Sequence, residues 1–145
     1  MSLPMKSFLD TSVLIAAHDA ADERHTASRR LLASATPLSA ACGAHTLAEV
    51  YAVLSRMPRG KKLRPELANT VVEQIRDRLT VVPLTADEYA ATIRAAAGMG
   101  LGGGILFDAL LLACARKVNA EWIYTWNARI FKMVAPDLAE RITTP

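Results

Sequence analysis

An aspartate at a strand-to-helix junction is the feature that most constrains this chain. Asp10 follows an apolar, strand-like piece that contains Phe8 and Leu9, and Thr11 and Ser12 then open an apolar helical segment. If the strand is central in a parallel sheet, its carboxyl end faces the crevice in which such folds bind ligands. The helix that follows directs free N–H groups and partial positive charge at the same point. Asp10 is therefore a candidate metal ligand.

The alternation of segments along the chain predicts the fold class. Strand-like pieces lie at 8–9, 38–42, 80–84 and 121–126, with a candidate fifth at 141–144, and helical patterns separate them. We expect helices that start near Asp22, Thr46, Pro65 and Thr85, and further helices over 105–118 and 127–133. Such alternation calls for a parallel sheet covered on both faces. The prediction is an α/β three-layer sandwich with a central, mainly parallel sheet of four to five strands.

Size and composition limit the chain to one domain. With 145 residues, of which 52% are hydrophobic, we predict a single domain over 5–145, preceded by added residues or an alternative start over 1–4. No apolar run reaches a membrane-spanning length and no signal peptide is evident, so a cytoplasmic protein is expected. The net charge of +3, with a basic cluster over 56–64, permits nucleic-acid binding without demanding it. Cys42 and Cys114 are interpreted as buried free thiols.

Three acidic residues lie in unusually apolar surroundings. Besides Asp10, Glu49 lies inside the apolar run 47–54 and Asp108 interrupts the apolar run 105–115. Moving an ionised carboxylate from water into an apolar environment costs several kcal/mol unless a partner compensates it. Arg56 and Arg116 are too far along their helices to form i,i+3 or i,i+4 pairs with these acids. Each acid therefore needs another cation.

A shared divalent metal ion is the economical solution. Oxygen ligands without histidine or cysteine favour Mg²⁺ or Mn²⁺ over zinc. The alternative is that each acid caps a helix or pairs with a distant arginine. That alternative would be preferred for any one of the acids alone, but it is the weaker explanation for all three together.

Four short motifs occur in order along the chain: Asp10-Thr11-Ser12 after a first strand, a lone Glu49 on a helix, Asp108-Ala109-Leu110, and Thr125-Trp126-Asn127 followed by Phe131. In order and spacing they resemble the PIN-domain ribonucleases, and more closely the VapC toxins of bacterial toxin–antitoxin pairs. The resemblance implies a Mg²⁺- or Mn²⁺-dependent endoribonuclease that forms a homodimer. It also implies inhibition by a VapB-like antitoxin whose C-terminal segment covers the active site.

The resemblance also assigns roles by position. It implies that Asp10, Glu49 and Asp108 bind the metal and act in catalysis, supported by Thr11, Ser12 and Thr125, with the first two hydrogen-bonding Asp10. Asn127 stands where the family often has a fourth acid. An amide oxygen can coordinate a metal or hold a water, but it adds no negative charge, so the departure bears on whether a second metal binds.

Other interpretations were weighed against a nuclease. An aspartyl-phosphate enzyme or receiver domain needs a second acid beside Asp10, and none is present. The glycine run 100–104 lacks the lysine and hydroxyl residue of a P-loop. A catalytically weak PIN-like RNA-binding or interaction module stays open because of Asn127.

Structural roles are expected for the tryptophans, the histidines and two amphipathic helices. Core packing is predicted for Trp122 and Trp126, although Trp126 could also stack on a base. Surface or helix-capping roles are expected for His18, His25 and His45. The amphipathic helices around 50–54 and 67–79 could form a groove for a partner helix, although packing within the domain explains the same pattern.

Overall fold

The computed structural model describes residues 4–58 and 60–145. Met1 to Leu3, at the start of the predicted leading segment, and Arg59 of the basic cluster lie outside the described residues. The strands in the described ranges are β1 (Ser7–Leu9), β2 (Ala40–Gly43), β3 (Thr80–Val82), β4 (Trp122–Tyr124) and β5 (Ile142–Thr143). The α-helices there are α1 (Thr11–Ala17), α2 (His25–Ala33), α3 (Ala44–Leu54), α4 (Pro65–Arg78), α5 (Ala86–Gly98), α6 (Ile105–Lys117) and α7 (Ala128–Val134).

The sheet is parallel at every described pairing and has the order β3-β2-β1-β4-β5. From β1 the chain moves outward through β2 to β3, and it then crosses back to place β4 on the other side of β1. The direction of winding therefore reverses between β1 and β4. Such a reversal opens a crevice at the carboxyl ends of the two strands, where α/β folds bind ligands.

Two hydrophobic clusters cover the two faces of the sheet. One contains Phe8 and Ile123 with side chains of α6 and α7, and the other contains Leu9 with side chains of α1 to α4. Neighbouring residues of β1 point to opposite faces because side chains alternate along a strand. The predicted three-layer α/β sandwich with a mainly parallel sheet of four to five strands is thus confirmed, and the described sheet has five strands with parallel pairings.

Most helix boundaries agree with the sequence prediction. Pro65 starts α4, and the Thr85 hydroxyl accepts a hydrogen bond from the Glu88 N–H while the Glu88 carboxylate accepts one from the Thr85 N–H. The helix expected from Asp22 begins only at His25, because the Asp22 carboxylate accepts a hydrogen bond from the Arg24 N–H in a preceding turn. A 3₁₀ helix at Pro136–Arg141 was not predicted.

Other sequence predictions concern the membrane and the cysteines. No helix in the described part of the chain is both long and apolar enough to cross a membrane. Cys42 and Cys114 are buried and free, as predicted. Burial raises the pKa of Cys42 to about 12 and that of Cys114 to about 11, so neither thiol ionises readily.

Gly43 allows α6 to pack closely against the end of β2. Its backbone, with φ −79° and ψ 149°, is one that any residue can adopt. A β-carbon at this position would lie 2.8 Å from Cδ2 of Leu111 and 3.4 Å from Sγ of Cys114. The glycine is therefore required by the approach of α6, which carries Asp108, and not by backbone strain.

We predict that Gly43→Val lowers the free energy of unfolding by about 1–3 kcal/mol, because it overpacks the contact with buried Leu111. Urea denaturation measures this directly. Gly98→Ala is the control, since a β-carbon there meets nothing within 4 Å. Equal stability of Gly43→Val and the parent chain would show that α6 can move away at no cost.

Candidate active site

The register of β1 against β4 places Asp10 beside Thr125. Leu9 pairs with Tyr124, so the next residue of each strand lies at the crevice where the sheet order reverses. The Thr125 hydroxyl donates a hydrogen bond of 2.8 Å to Oδ2 of Asp10, across 115 positions of sequence. The Asp10 side chain is buried, with 3% of the residue exposed. A carboxylate is thus held where the fold is expected to bind a ligand.

A second hydroxyl group, that of Ser12, also holds the Asp10 carboxylate. Its hydroxyl donates to Oδ2 of Asp10 at 2.7 Å and accepts from the Trp126 N–H at 3.0 Å. Thr125 repeats the pattern, because its hydroxyl also accepts from the Asn127 N–H at 2.9 Å. Each hydroxyl donates to an ionised acid and accepts from a backbone amide, so its orientation is fixed. The contacts predicted for Ser12 are present in the structure.

Glu49 is held by a separate pair of hydroxyls. The Thr11 hydroxyl donates to Oε1 of Glu49 at 2.9 Å and lies 2.8 Å from the hydroxyl of Thr46. Since Thr11 has a single hydroxyl proton and gives it to Glu49, Thr46 must donate to Thr11. Thr11 therefore supports Glu49 and not Asp10, and the prediction for its contact was wrong. Its side chain points along α3 because α1 packs against that helix.

Sequence reasoning missed Thr46, which was seen only as a helix start. It is fully buried, and it precedes Glu49 by three residues on the same helix. That spacing puts both side chains on one face of α3. A buried hydroxyl one turn before a suspected acidic ligand was the available signal.

Asp108 lies in the first turn of α6 and is half-buried. Burial, followed by the negative charges of Asp10 and Glu49, raises the pKa of Asp108 to about 6. No salt bridge within residues 4–58 and 60–145 involves any of the three acids. Arg116, considered from the sequence, pairs with Asp137 instead. The fold therefore brings the three carboxylates within electrostatic range, and no side chain among the described residues forms a salt bridge with them.

The three carboxylates do not form a closed ligand set. No group of three His, Cys, Asp or Glu side chains in the described residues is arranged to enclose a metal ion. Mutual repulsion keeps like charges apart when nothing neutralises them. Carboxylate and hydroxyl oxygens are nevertheless the donors that Mg²⁺ and Mn²⁺ prefer, so the chemistry of these side chains fits such an ion.

Asn127 and the two tryptophans differ in their exposure to solvent and in their contacts. Asn127 is exposed and precedes α7, with its backbone tied to Thr125. Trp126 packs within the domain as predicted, and its indole N–H donates to the Ser28 hydroxyl at 2.8 Å. Trp122 is 42% exposed, so its predicted core position was wrong. It starts β4, an inner strand, yet its side chain lies on the surface.

The histidines have separate structural roles. Ring Nδ1 of His18 lies 2.8 Å from the Leu14 carbonyl, and that of His25 lies 2.8 Å from the Ala16 carbonyl. Both contacts satisfy carbonyls of α1, in line with the capping role predicted for them. His45 instead stacks on the ring of Phe107, a contact that the sequence did not reveal.

Comparison with known proteins places this geometry in a family. Residues 7–135 match the PIN domain. The chain is 33% identical over 119 residues to Ribonuclease VapC27 of Mycobacterium tuberculosis, covering 81% of this chain and 80% of that protein. The chain is a PIN domain of the VapC family.

Solved structures agree with this PIN fold. VapC20 of Mycobacterium tuberculosis, described as a sarcin-ricin loop cleaving toxin, superposes with a TM-score of 0.69 at 25% identity, covering 86% of this chain and 92% of that one. The DNA-bound VapBC of Salmonella typhimurium gives a TM-score of 0.67 at 22% identity, covering 97% of this chain and 98% of that one. The second likeness supports the fold alone.

We predict that Thr125→Val lowers the free energy of unfolding by about 1–3 kcal/mol, because Asp10 loses a donor and the Asn127 N–H loses its acceptor in a buried place. Chemical denaturation at neutral pH is the measurement. Thr125→Ser keeps the hydroxyl and should recover most of the loss. Thr70→Val removes an exposed hydroxyl bound only to the Glu66 carbonyl and should change little. A Thr125→Val protein as stable as Thr70→Val would contradict the role of this bond.

A second prediction concerns pH in the absence of divalent metal. The folded-state pKa of Asp108, about 6, exceeds the ordinary value of 3.8, so the folded chain holds the proton more tightly than the unfolded chain. The free energy of unfolding therefore falls as pH rises through this window, and the penalty is complete above about pH 6. Asp108→Asn should remove it and stabilise the protein at neutral pH by roughly 1–2 kcal/mol, after allowance for solvent screening.

Thermal melts across this pH range test the prediction. The stabilisation by Asp108→Asn should vanish below about pH 4, where both the folded and unfolded carboxyl groups are protonated. Asp77→Asn, at an exposed acid of α4, is the matched control and should show no such pH-dependent gain. A constant difference between Asp108→Asn and the parent chain at all pH values would contradict the assignment.

Proposed function

We propose that this PIN domain is a divalent-metal-dependent endoribonuclease that hydrolyses RNA phosphodiester bonds and acts as the toxin of a toxin–antitoxin pair. The observation that carries the proposal is the approach of Asp10, Glu49 and Asp108, without a described cation, at the reversal of the sheet order. The relationship to a VapC ribonuclease supports the same activity. A structural role alone would not require uncompensated charge in this place.

Asp10, Glu49 and Asp108 are the residues that would hold the metal, Mg²⁺ or Mn²⁺, with the Asn127 amide available as a neutral neighbour. A bound divalent ion supplies Lewis acidity, which polarises the phosphate and lowers the pKa of a water. The raised pKa of Asp108 supports this assignment, because it marks negative charge that a cation would neutralise. Asn127 reduces the total charge available, which favours one metal over two.

The protein prepares these acids through its hydroxyl groups. Oδ2 of Asp10 is occupied by donors from Ser12 and Thr125, whereas no described group donates to Oδ1. Every fully buried side-chain oxygen in the described residues has a partner, so Oδ1, which has none, keeps some exposed surface. The carboxylate is thus fixed with one oxygen directed to the interior and the other free for a ligand. Such prior orientation avoids reorganisation during the reaction.

The electrostatics impose an order of binding. Three carboxylates without a cation repel the phosphates of RNA, so the metal is needed for substrate binding as well as for hydrolysis. The buried threonines and the apolar residues around Asp10 limit access of bulk water and strengthen each charge interaction. Water would then attack phosphorus in line with the leaving ribose oxygen, and the positions of Asp10, Glu49 and Asp108 would not need to change.

An antitoxin partner and a homodimer are also proposed, on the basis of family membership. Tyr51 on α3 and Leu67 on α4 are 39% and 45% exposed on two helices that pack together. Together they offer an apolar surface for a helical segment of a VapB-like antitoxin. Ile93 and Met99, at 48% and 52% exposed, lie on and just after α5 and provide apolar area for a second copy.

We expect Asp10→Asn and Asp108→Asn each to lower RNA cleavage at least about 100-fold, because each removes a negative ligand from the site. Purified protein is incubated with total RNA and Mg²⁺, and new 5′ ends are mapped by sequencing. Excess EDTA should abolish the ends, and added Mn²⁺ should restore them. Asp77→Asn, at an exposed acid of α4, serves as the matched control and should cleave like the parent chain.

Three results would count against the proposal. Cleavage that persists in excess EDTA would exclude a required metal ion. Equal cleavage by Asp10→Asn and the parent protein would exclude the assigned site. Retention of RNA without new 5′ ends would favour the alternative, a catalytically weak PIN-like RNA-binding or interaction module, which the neutral Asn127 and the lack of a closed ligand set keep in view.

A further inference from the structure

An aromatic pair joins the two helices that supply Glu49 and Asp108. The rings of His45 and Phe107 are stacked, with centroids 5.2 Å apart and planes inclined by 6°. His45 lies in the first turn of α3, which starts at the carboxyl end of β2, and Phe107 lies in the first turn of α6, directly before Asp108. The stack is therefore at the same edge of the sheet as the acidic residues.

Phe107 is exposed to solvent, although it directly precedes the half-buried Asp108 on α6. It is 45% exposed, whereas every other apolar side chain of α6 is buried or partly buried. Since His45 stacks on one face of the ring, the exposed area of Phe107 is assigned to the opposite face. Since the stack and the backbone of α6 both restrain the ring, its free face has a defined orientation before any ligand arrives. A ligand that binds there loses little entropy in ordering the protein.

The two tryptophans are not available in this way. The indole N–H of Trp126 is bonded to Ser28, and the guanidinium of Arg24 lies 5.8 Å from the centre of its ring. Trp122 is exposed but starts β4, at the amino edge of the parallel sheet, on the far side from Asp10. Phe107 is thus an exposed aromatic residue that directly precedes one of the three acids, Asp108.

We propose that the free face of Phe107, backed by His45, stacks against an unpaired nucleobase adjacent to the phosphate at the acidic site. Every nucleobase has a flat π face, and such contacts tolerate any sequence. A base that is paired and stacked within an A-form helix cannot present that face. The pair therefore directs the enzyme to single-stranded or looped RNA. This inference rests on the proposed ribonuclease function, and Phe107 acts as a specificity-determining residue.

The test uses a short single-stranded RNA that carries 2-aminopurine, whose fluorescence falls when the base stacks. The parent chain with Mg²⁺ should quench the single strand and should quench the same RNA annealed to its complement far less. Phe107→Leu should lose the quenching and should raise KM for the single strand by about 5- to 160-fold, the range that stacking of one base corresponds to. Its kcat should change little, because the acids are untouched.

Control variants separate stacking from folding. Phe107→Trp keeps a flat ring and should retain the quenching, so loss of quenching in both variants would overturn the platform. Trp122→Leu removes an exposed aromatic at the opposite edge and should behave as the parent chain. Circular dichroism of each variant establishes that it is folded. An unchanged KM in folded Phe107→Leu, or equal quenching of single and double strands, would also overturn the proposal.

The readouts distinguish this inference from the proposed function. Quenching reports stacking whether or not hydrolysis follows. Quenching that requires Phe107, without cleavage by the parent chain, would support the platform and overturn the ribonuclease. Cleavage that requires Asp10, with quenching independent of Phe107, would support the ribonuclease and overturn the platform. A Phe107→Leu variant that loses affinity only for a protein partner would likewise overturn it.

Discussion

Parallel pairing of β1 with β4 brings together two residues that are 115 positions apart in the sequence. Asp10 and Thr125 each follow directly after a paired residue, so the hydrogen bond between them depends on the register of the two strands. A shift of register by one residue would reverse the faces of every side chain in the strand. The position of the buried carboxylate and the packing of the core are therefore set by the same pairing.

The cost of the site is electrostatic. Asp10, Glu49 and Asp108 approach one another without a described cation, and burial together with this repulsion raises the pKa of Asp108. Hydroxyl groups of Ser12, Thr11 and their partners fix the orientation of two of the acids but do not neutralise them. In many proteins a functional site lowers the free energy of unfolding relative to an apolar core at the same place. Such a site is well suited to a divalent ion, which offsets the repulsion.

Sequence patterns predicted much of the fold and part of the candidate site. The alternation of strand and helix segments was enough to predict the three-layer class. The capping residue Thr85 and the helix-starting Pro65 located the beginnings of two helices. The acids were identifiable because charge inside an apolar run is costly wherever the run packs. The contact of Thr11 with Glu49 and the exposure of Trp122 were not identifiable, since both depend on the packing of neighbouring helices and strands.

The sequence by itself determined which residues carry charge into apolar segments, and it determined the order of strands and helices, because periodicity and polarity are local properties. Only the tertiary structure decided which hydroxyl serves which acid, that the strand order reverses beside Asp10, and that His45 stacks on Phe107. These features join residues far apart in the chain. Their geometry depends on crossover direction, strand register and helix packing, which no local pattern encodes.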